Sequence, residues 1–296
     1  MKDISSETGI LYLCATPIGN MGDITKRVEQ TLREVDLIAA EDTRNSQKLL
    51  NQLGIRTPMT SYHEHNQAEK GRELIDKLKS GTHIALITDA GTPAISDPGE
   101  MLVRMCMDAG IPVTSLPGPS ALITALTLSG MNTRRFVFEG FLPSATDDRR
   151  NRRQVLDELK REFRTIILYE APHHLVRTLE DLYATFGERR ITVCRELTKV
   201  FEEIIPTTLS AAIEFYSEKR NAPRGEFVLV VEGFDRLAFR REQQEELREL
   251  DLDEHMRFYE DQGYTRKEAM KKVAADRGLG KSRIYGQLNG KQFDNP

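Results

Sequence analysis

Five carboxylates stand where short apolar runs of this sequence end. Glu41 and Asp42 follow "LIAA", Asp89 follows "HIALIT", Glu170 closes "TIILYE" and Glu196 follows "ITVCR". In an open parallel sheet, ligands bind at the carboxyl ends of the strands. A single acid at such a point is also typical of a helix N-cap. Several acids at one sheet edge favour a site, in which a carboxylate could take a proton from a substrate.

The stretch "TDAGTPAISDPG", from Thr88 to Gly99, follows one of these runs and holds two glycines, two prolines and two aspartates. Gly91 and Gly99 allow positive φ and close backbone approach, while Pro93 and Pro98 stiffen the chain. The loop contains no lysine, which argues against a triphosphate. Backbone amides and carbonyls in a stiff loop suit a small ligand with polar and apolar faces. A purely structural connection is the alternative.

Three other motifs are weak. The turn after the first apolar run, "ATPIGNMGD", lacks the G-x-G-x-x-G pattern of a dinucleotide fold. "GLGKS" ends like a phosphate loop, but Ala275 occupies the position of its first glycine. His63 and His65 in "HEHN" have no third metal ligand nearby in the sequence. The sequence therefore predicts neither a nucleotide loop nor a metal site.

The elements that position these residues alternate regularly over the first 117 residues. Short apolar runs recur about every 25 residues and are separated by helix-like stretches. They lie at 10–15, 37–40, 59–62, 83–87 and 111–116. Strands alternating with helices imply a largely parallel sheet covered on both faces. We expect an α/β domain over residues 1–117.

A second α/β domain is expected over residues 118–236, after the proline-rich hinge "LPGPS". Three of its strand-like runs lack a long helix between neighbours, which predicts a mixed sheet. The strands are expected at 136–141, 165–170, 191–196, 201–207 and 226–233. The helices are expected near 120–129, 150–162, 173–186 and 209–219.

The remaining residues, 237–296, form a charged tail that reads as helical. Thr265 and Glu268 match a capping box, and "RGLG" followed by "KSRIYGQL" suggests a helix–turn–helix-like module. From Tyr264 to Gln292 there are eight Lys/Arg against two Asp/Glu, a local net charge of +6 in a chain of net charge −4. We expect this basic tail to dock on nucleic-acid phosphate. Packing on its own domain or on a partner subunit is the alternative.

Composition limits the remaining classes. At 39% hydrophobic and 30% charged residues over 296 positions, the chain can bury a sizeable core. Cys14, Cys106 and Cys194 are far apart, which predicts no disulfide framework. No apolar run reaches about 18 residues, and the N-terminus is polar. We expect a cytoplasmic protein that does not contact a membrane.

Eight motifs occur in order between about residue 10 and residue 233. They are "ATPIGNMGDIT", "IAAEDTR", "TDAGTPAISDPG", "LPGPSA", "FEGFLP", "YEAPHHL", "RELTK" and "RGEFVLVVEG". Together they resemble the tetrapyrrole-methylase superfamily, and "AEDTR" with "YEAPHHL" resembles its branch that methylates RNA. The resemblance implies two α/β domains with S-adenosylmethionine in the cleft between them. It also implies 2′-O-methylation of a cytidine ribose in the decoding region of 16S ribosomal RNA, with the small ribosomal subunit as partner, and a homodimer.

The resemblance also implies which residues bind the cofactor. Those expected to bind the cofactor are Pro17, Thr88, Asp89, Ala90, Gly91, Ala94, Ile95, Ser120, Ala121, Phe141, Leu142, Glu170, Ala171, Pro223, Arg224 and Gly225. Asp42, Asp89 and Glu170 are unranked candidates for a base. Residues expected to contact RNA are Arg44, Arg149, Arg150, Arg152, Arg153, Lys271, Lys272, Lys281 and Arg283. Arg44 could instead pair with a carboxylate.

Three other functions remain open from the sequence. A tetrapyrrole methyltransferase would need an apolar, disc-shaped cleft and no basic tail. A non-catalytic RNA-binding assembly factor would not need the cofactor loops. A DNA-binding regulator built on the tail would not need the two large upstream domains.

Overall fold

The computed structural model describes residues 8–288. The chain divides into two compact units, Met1–Glu232 and Gly233–Pro296. The polar N-terminal residues 1–7 and the end of the basic tail, including Gln292, lie outside the described residues. The first unit contains two five-stranded sheets, and the second contains the helical tail.

The first sheet is entirely parallel, as its alternating strands and helices predicted. Its strand order is β3-β2-β4-β1-β5. The strands are β1 Leu11–Cys14, β2 Leu37–Ala40, β3 Met59–Ser61, β4 Ile84–Ile87 and β5 Val113–Leu116. The helices are α1 Lys26–Glu34, α2 Thr43–Gln52, α3 Gln67–Lys79 and α4 Glu100–Asp108.

The central strand β4 shows why this segment folds as it does. Its four residues are all fully buried. Ile84 and Leu86 pack in one cluster with residues of α3 and α4, while Ala85 and Ile87 pack in another with residues of α1 and α2. Alternate side chains of a strand point to opposite faces, so a strand covered on both faces must be apolar throughout.

The second sheet is mixed, as predicted. β6 and β7 are parallel, and the other pairs are antiparallel. Its order is β6-β7-β10-β8-β9. The strands are β6 Phe136–Phe141, β7 Thr165–Glu170, β8 Arg190–Arg195, β9 Glu203–Thr208 and β10 Phe227–Val231. The helices are α5 Ala121–Leu128, α6 Arg149–Leu159, α7 Leu175–Phe186 and α8 Leu209–Ser217.

The two faces of this second sheet have different neighbours. One face packs on α6, α7 and α8. The other packs on α5 and on Ile18, which belongs to the loop after β1 of the first sheet. The carboxyl ends of the first sheet's strands therefore face the second sheet, where a cleft forms.

The described part of the tail contains four helices. They are α9 Arg236–Glu249, α10 Leu252–Glu260, α11 Arg266–Arg277 and α12 Lys281–Leu288. Of these, α10, α11 and α12 pack around a small core. The charged stretch expected to be helical is divided at Asp251, whose side chain accepts a hydrogen bond from the Glu254 N–H at 2.7 Å and caps α10. The capping box at Thr265 is confirmed, and Gly278 ends α11 with φ of +64°.

Candidate functional site

The loop between β4 and α4 is held in an unusual backbone conformation. Gly91 and Gly99 have positive φ, as expected, and so do Ala94 at +68° and Ser96 at +62°. Non-glycine residues in the left-handed region cost about 1–3 kcal/mol each and cluster at functional sites. The Gly91 N–H and carbonyl exchange hydrogen bonds of 3.0 and 2.9 Å with the backbone of Thr16. The loop is thus clipped to the end of β1.

Two hydroxyl groups fix the loop further. Thr16 Oγ1 donates to the Thr88 carbonyl at 3.1 Å. Thr92 Oγ1 donates to the Pro119 carbonyl at 3.0 Å, which joins the loop to the segment before α5. These contacts keep the strained loop in place without help from a ligand.

A cleft of about 340 Å³ lies between this loop and the second sheet. Its charged lining groups, within residues 8–288, are all acidic: Asp89, Asp97, Glu170 and Glu226. Its other walls are largely apolar and come from Ile18, α5, β6, β7 and β10. Such a lining suits a small ligand with an apolar body and a positive charge, and it disfavours phosphate.

The sequence-predicted cofactor residues fall into two groups. Those that line the cleft are Asp89, Ala90, Gly91, Ile95, Ser120, Ala121, Phe141, Glu170 and Ala171. The others, Pro17, Thr88, Ala94, Leu142, Pro223, Arg224 and Gly225, are not among its lining residues. Their cofactor contacts stay predictions.

Thr88 and Gly225 each precede a residue that lines the cleft, Asp89 and Glu226 respectively. Thr88 is buried, and its carbonyl accepts the bond from Thr16 described above. A β-carbon on Gly225 would lie 2.4 Å from Glu196 Oε1, and the φ of Gly225 is +84°. Only glycine therefore lets this backbone approach Glu196, which accepts hydrogen bonds from Lys199 Nζ and from the Glu226 N–H.

Sequence reasoning missed several lining residues. Among them, Tyr169 is held by well-defined contacts. Its hydroxyl accepts a hydrogen bond from the Leu122 N–H at 3.2 Å, near the start of α5. Its ring meets Phe138 and Phe141 edge to face, with centroids 4.8 and 5.6 Å away. Burial raises the pKa of Tyr169. The available signal was its place in "TIILYE", directly before Glu170. The other missed residues are Ile18, Thr92, Ser96, Asp97, Pro172, Leu197, Glu226, Phe227 and Val228.

Asp42 has a structural role. Its side chain caps α2 by accepting from the Arg44 N–H and forms an ion pair with the Arg44 guanidinium at 2.9 Å. These bonds lower the pKa of Asp42 to about 2, so its carboxylate is a poor proton acceptor. Of the two alternatives for Arg44, the structure shows the carboxylate pair, and its side chain still remains 87% exposed.

Glu170 lines the cleft with both carboxylate oxygens engaged. Thr178 Oγ1 donates to one oxygen, and the Ala171 N–H donates to the other at 2.8 Å. Arg152 donates to the same Thr178 hydroxyl and pairs with Asp181 at 2.8 Å. Arg152 is only 6% exposed. The expected RNA contact of Arg152 is therefore wrong, because its guanidinium lies in the interior and supports Glu170 through Thr178.

Glu41, Asp89 and Asp97 form an acidic cluster where the loop after β4 meets the end of β2. The Asp89 N–H donates to Glu41 Oε2 at 3.3 Å, and Asn45 Nδ2 donates to Asp89 Oδ2 at 3.2 Å. Asp97 lies in the field of both carboxylates. Burial, and then the charges of Glu41 and Asp89, raise the pKa of Asp97 to about 7. Sequence reasoning did not select Asp97.

The remaining cations proposed for RNA occupy two surfaces. Arg149, Arg150 and Arg153 are exposed near the start of α6, and Arg153 is paired only loosely with Asp157, at 3.9 Å. In the tail, Lys271, Lys281 and Arg283 are exposed. Lys272 differs, because its ammonium lies 4.4 Å from the Tyr264 ring centroid and is partly buried. RNA contact by these side chains stays a prediction.

The structure also bears on metal binding and on membrane-spanning helices. Within residues 8–288, no group of three or more His, Cys, Asp or Glu side chains could hold a metal ion. No helix of that range is long and apolar enough to cross a bilayer.

The family profile of tetrapyrrole (corrin/porphyrin) methylases matches residues 10–213, which include the whole first sheet and all strands of the second except β10. The chain belongs to the tetrapyrrole methylase family. Nine of the residues that the resemblance implied for its cofactor line the acidic, partly apolar cleft of this methylase.

Relatives of this methylase share its length as well as its sequence. It is 49% identical over 281 residues to ribosomal RNA small subunit methyltransferase I of Synechocystis sp., covering 94% of this chain and 96% of that protein. It is 46% identical over 287 residues to the protein of that name from Bacillus subtilis, covering 97% and 96%. The expected similarity to this group of RNA enzymes is confirmed.

Solved structures agree in fold. Diphthine synthase superposes with a TM-score of 0.57 at 14% identity, covering 76% of this chain and 90% of that one. Uroporphyrin III C-methyl transferase from Thermus thermophilus gives 0.54 at 16% identity, covering 76% and 97%. At this identity the likeness shows the methylase fold alone.

Proposed function

We propose that this methylase transfers a methyl group from S-adenosylmethionine to the ribose 2′-hydroxyl of a cytidine in the decoding region of 16S ribosomal RNA. The similarity to relatives named as small subunit rRNA methyltransferases, over nearly their whole length, supports RNA as the substrate. The proposal that the cofactor is S-adenosylmethionine rests on the cleft, whose charged lining groups among the described residues are all acidic.

The residues present fit S-adenosylmethionine. The cofactor would supply a methyl group on a positively charged sulfur; its methionine part carries one ammonium and one carboxylate and its adenosine is neutral, so its net charge is +1. Asp89, Asp97, Glu170 and Glu226 supply negative charge for those cations. Tyr169 and Phe141 supply apolar and aromatic surface for the adenosine. The clipped loop presents its backbone through Gly91, where a side chain would reduce the space.

This chain's contribution to the reaction is mainly positioning. Holding a ribose oxygen in line with the methyl group turns an encounter of two molecules into a step within one complex. Backbone hydrogen bonds with Thr16 hold the strained loop, and bonds from Ala171 and Thr178 hold the Glu170 carboxylate. Preorganisation of this kind lowers the cost of reaching the reactive geometry.

RNA contact is proposed for Arg44, Arg149, Arg150 and Arg153 beside the first unit's site, and for the basic tail. Arginine side chains bind phosphate oxygens in two-pronged geometry, and phosphate contacts set position without reading sequence. Lys271, Lys281 and Arg283 are exposed on the tail, and we propose the same task for them. We also propose a cytoplasmic homodimer, on the resemblance alone; sedimentation of the purified chain tests the dimer.

The experiment for the proposed function uses S-adenosylmethionine labelled in its methyl group. The purified chain is incubated with small ribosomal subunits lacking the modification, with free 16S RNA, and with a porphyrin precursor. Label in RNA, from subunits or free RNA, is the expected result. Label in the tetrapyrrole alone would replace the proposal with the rival activity, and no transfer to any acceptor would contradict methyl transfer itself.

A further inference from the structure

A second cavity opens beside the cleft, at the carboxyl edge of the first sheet. Its volume is about 590 Å³, within the range of small-molecule sites, about 300–1,000 Å³. Its lining includes Glu41, Glu64 and Gln67, and Glu100, Met101 and Arg104 of α4, where Arg104 pairs with Glu100 at 2.8 Å. The carboxylate and amide oxygens can accept hydrogen bonds from the hydroxyl and amino groups of a nucleoside.

Two residues, Ser96 and Asp97, belong to the walls of both cavities. They lie in the strained part of the loop. Ser96 has φ of +62°, and Gly99, three residues later, has φ of +152°. A β-carbon on Gly99 would meet Ala94 Cβ and Leu86 Cδ2 at 3.0 Å each. The turn that carries Asp97 is therefore tightly packed, and Asp97 lines both the cleft proposed for the methyl donor and the second cavity.

The surroundings of Asp97 leave its carboxylate able to accept a proton. Within residues 8–288 it forms no ion pair with lysine or arginine. The titratable groups that face it are Glu41 after β2, Asp89 in its own loop and Tyr169 of β7. Burial and the two neighbouring carboxylates raise its pKa to about 7, which suits a general base working near neutral pH.

The other carboxylates of the region are less suited. Asp42 is held by Arg44 and lies outside both cavities. Glu170 already accepts bonds from Thr178 and Ala171. Asp89 lines the cleft but not the second cavity. Asp97 is the carboxylate shared by the two cavities.

We propose that the second cavity receives the target nucleoside and that Asp97 takes the proton of its 2′-hydroxyl during methyl transfer. The inference rests on the proposed function. The hydroxyl O–H bond breaks and its proton moves to the Asp97 carboxylate, while the ribose oxygen forms a bond to the methyl carbon. The bond from that carbon to sulfur breaks, and its electron pair stays on sulfur as a neutral thioether. A target base must leave its stack to enter such a cavity.

The test compares Asp97→Asn with Asp108→Asn, which removes an exposed carboxylate at the far end of α4. Single-turnover methylation of small subunits is followed at saturating cofactor between pH 5.5 and 8.5. We expect Asp97→Asn to slow methylation at least about 100-fold, the smallest typical contribution of a general base. The wild-type and Asp108→Asn rates should rise with pH and level off at or below pH 7, because bound sulfonium favours the carboxylate. The residual rate of Asp97→Asn should lack this rise.

Two measurements do not depend on activity. Calorimetry should show that Asp97→Asn still binds S-adenosylhomocysteine, weakened by at most about 10-fold, because Asp97 is one of four acidic lining residues and this product lacks the sulfonium charge. Asp108→Asn should match the wild type. The carboxyl carbon of Asp97, followed by NMR in the cofactor-free wild-type protein, should titrate near pH 7. In Glu41→Gln the midpoint should fall, because one of the neighbouring negative charges is gone.

The outcomes separate the inference from the function on which it rests. Methylation by Asp97→Asn at the wild-type rate, or a titration midpoint of Asp97 near 4, overturns the role of Asp97 while the proposed function stands. Failure of the wild-type protein to methylate small subunits or 16S RNA overturns both.

Discussion

Gly91 tests whether the strained loop after β4 holds the cofactor. Its φ is +81°, and a β-carbon there would lie 3.5 Å from Ile18 Cγ2 and 3.9 Å from the Pro119 carbonyl oxygen, which is ordinary contact. Space therefore permits Gly91→Ala, and the penalty lies in the backbone. An L-residue in the left-handed region costs about 1–2 kcal/mol. If the free loop relaxes to avoid this cost, the cofactor must restore the conformation, and its affinity falls about 5–30-fold.

Gly110 supplies a matched control in the turn after α4. Its φ is +68°, and no described atom would lie within 4 Å of an added β-carbon. Gly110→Ala therefore carries the same backbone penalty away from the cleft. Gly110→Ala should lower the melting temperature by about 2–8 °C. Gly91→Ala should lower it less, because its free loop relaxes, and it alone should weaken S-adenosylhomocysteine in a calorimetric titration. Equal affinities in the two variants would refute the placement of the cofactor at this loop.

The tail supports two further predictions. Reversing Lys271, Lys281 and Arg283 to glutamate should weaken small-subunit binding and flatten its salt dependence by about 1 in logarithmic slope for each lost phosphate contact; filter binding at two salt concentrations measures this, and unchanged affinity and slope would exclude docking by these side chains. His255 is buried beside Asp276, and burial lowers its pKa. The stability that depends on neutral His255 is therefore complete above about pH 6.5 and is lost as pH falls below it, because the unfolded tail binds a proton that the folded tail resists. Hydrogen exchange of the tail amides, corrected for intrinsic rates, should show weaker protection at pH 5.5 than at pH 7.5, and equal protection would contradict this.

The strands could be predicted because their signal is local. Every apolar run in residues 10–233 that was expected to be a strand forms one. A strand buried in a sheet needs apolar residues whatever its place in the fold, so the signal lies in its own sequence. The parallel and mixed sheets followed from the presence or absence of helices between strands. The break at Asp251 was less visible, because a capping aspartate resembles any other acid in a charged segment.

The site was predicted only in outline for a physical reason. Acids at strand ends pointed to the cleft, but the single sheet edge expected for them is wrong: Asp89 follows β4 of the first sheet and Glu170 ends β7 of the second, and both line the cleft. The roles of the individual acids depend on partners far away in the chain, such as Thr178 for Glu170. Arg152 stands in a run of arginines that looks exposed, yet it pairs with Asp181. The pKa of Asp97 is raised by burial and by Glu41, 56 residues earlier, and no spacing in the sequence shows that meeting.

The most direct test of the central claim locates the methyl group on the RNA. Small subunits methylated by the purified chain are stripped of protein, and their RNA is hydrolysed in alkali, which cleaves next to every free 2′-hydroxyl. The account predicts a single alkali-resistant linkage that carries the label on a cytidine of the decoding region, and none in subunits incubated without the chain. Label released entirely as mononucleotides would place the methyl group on a base and contradict transfer to the ribose.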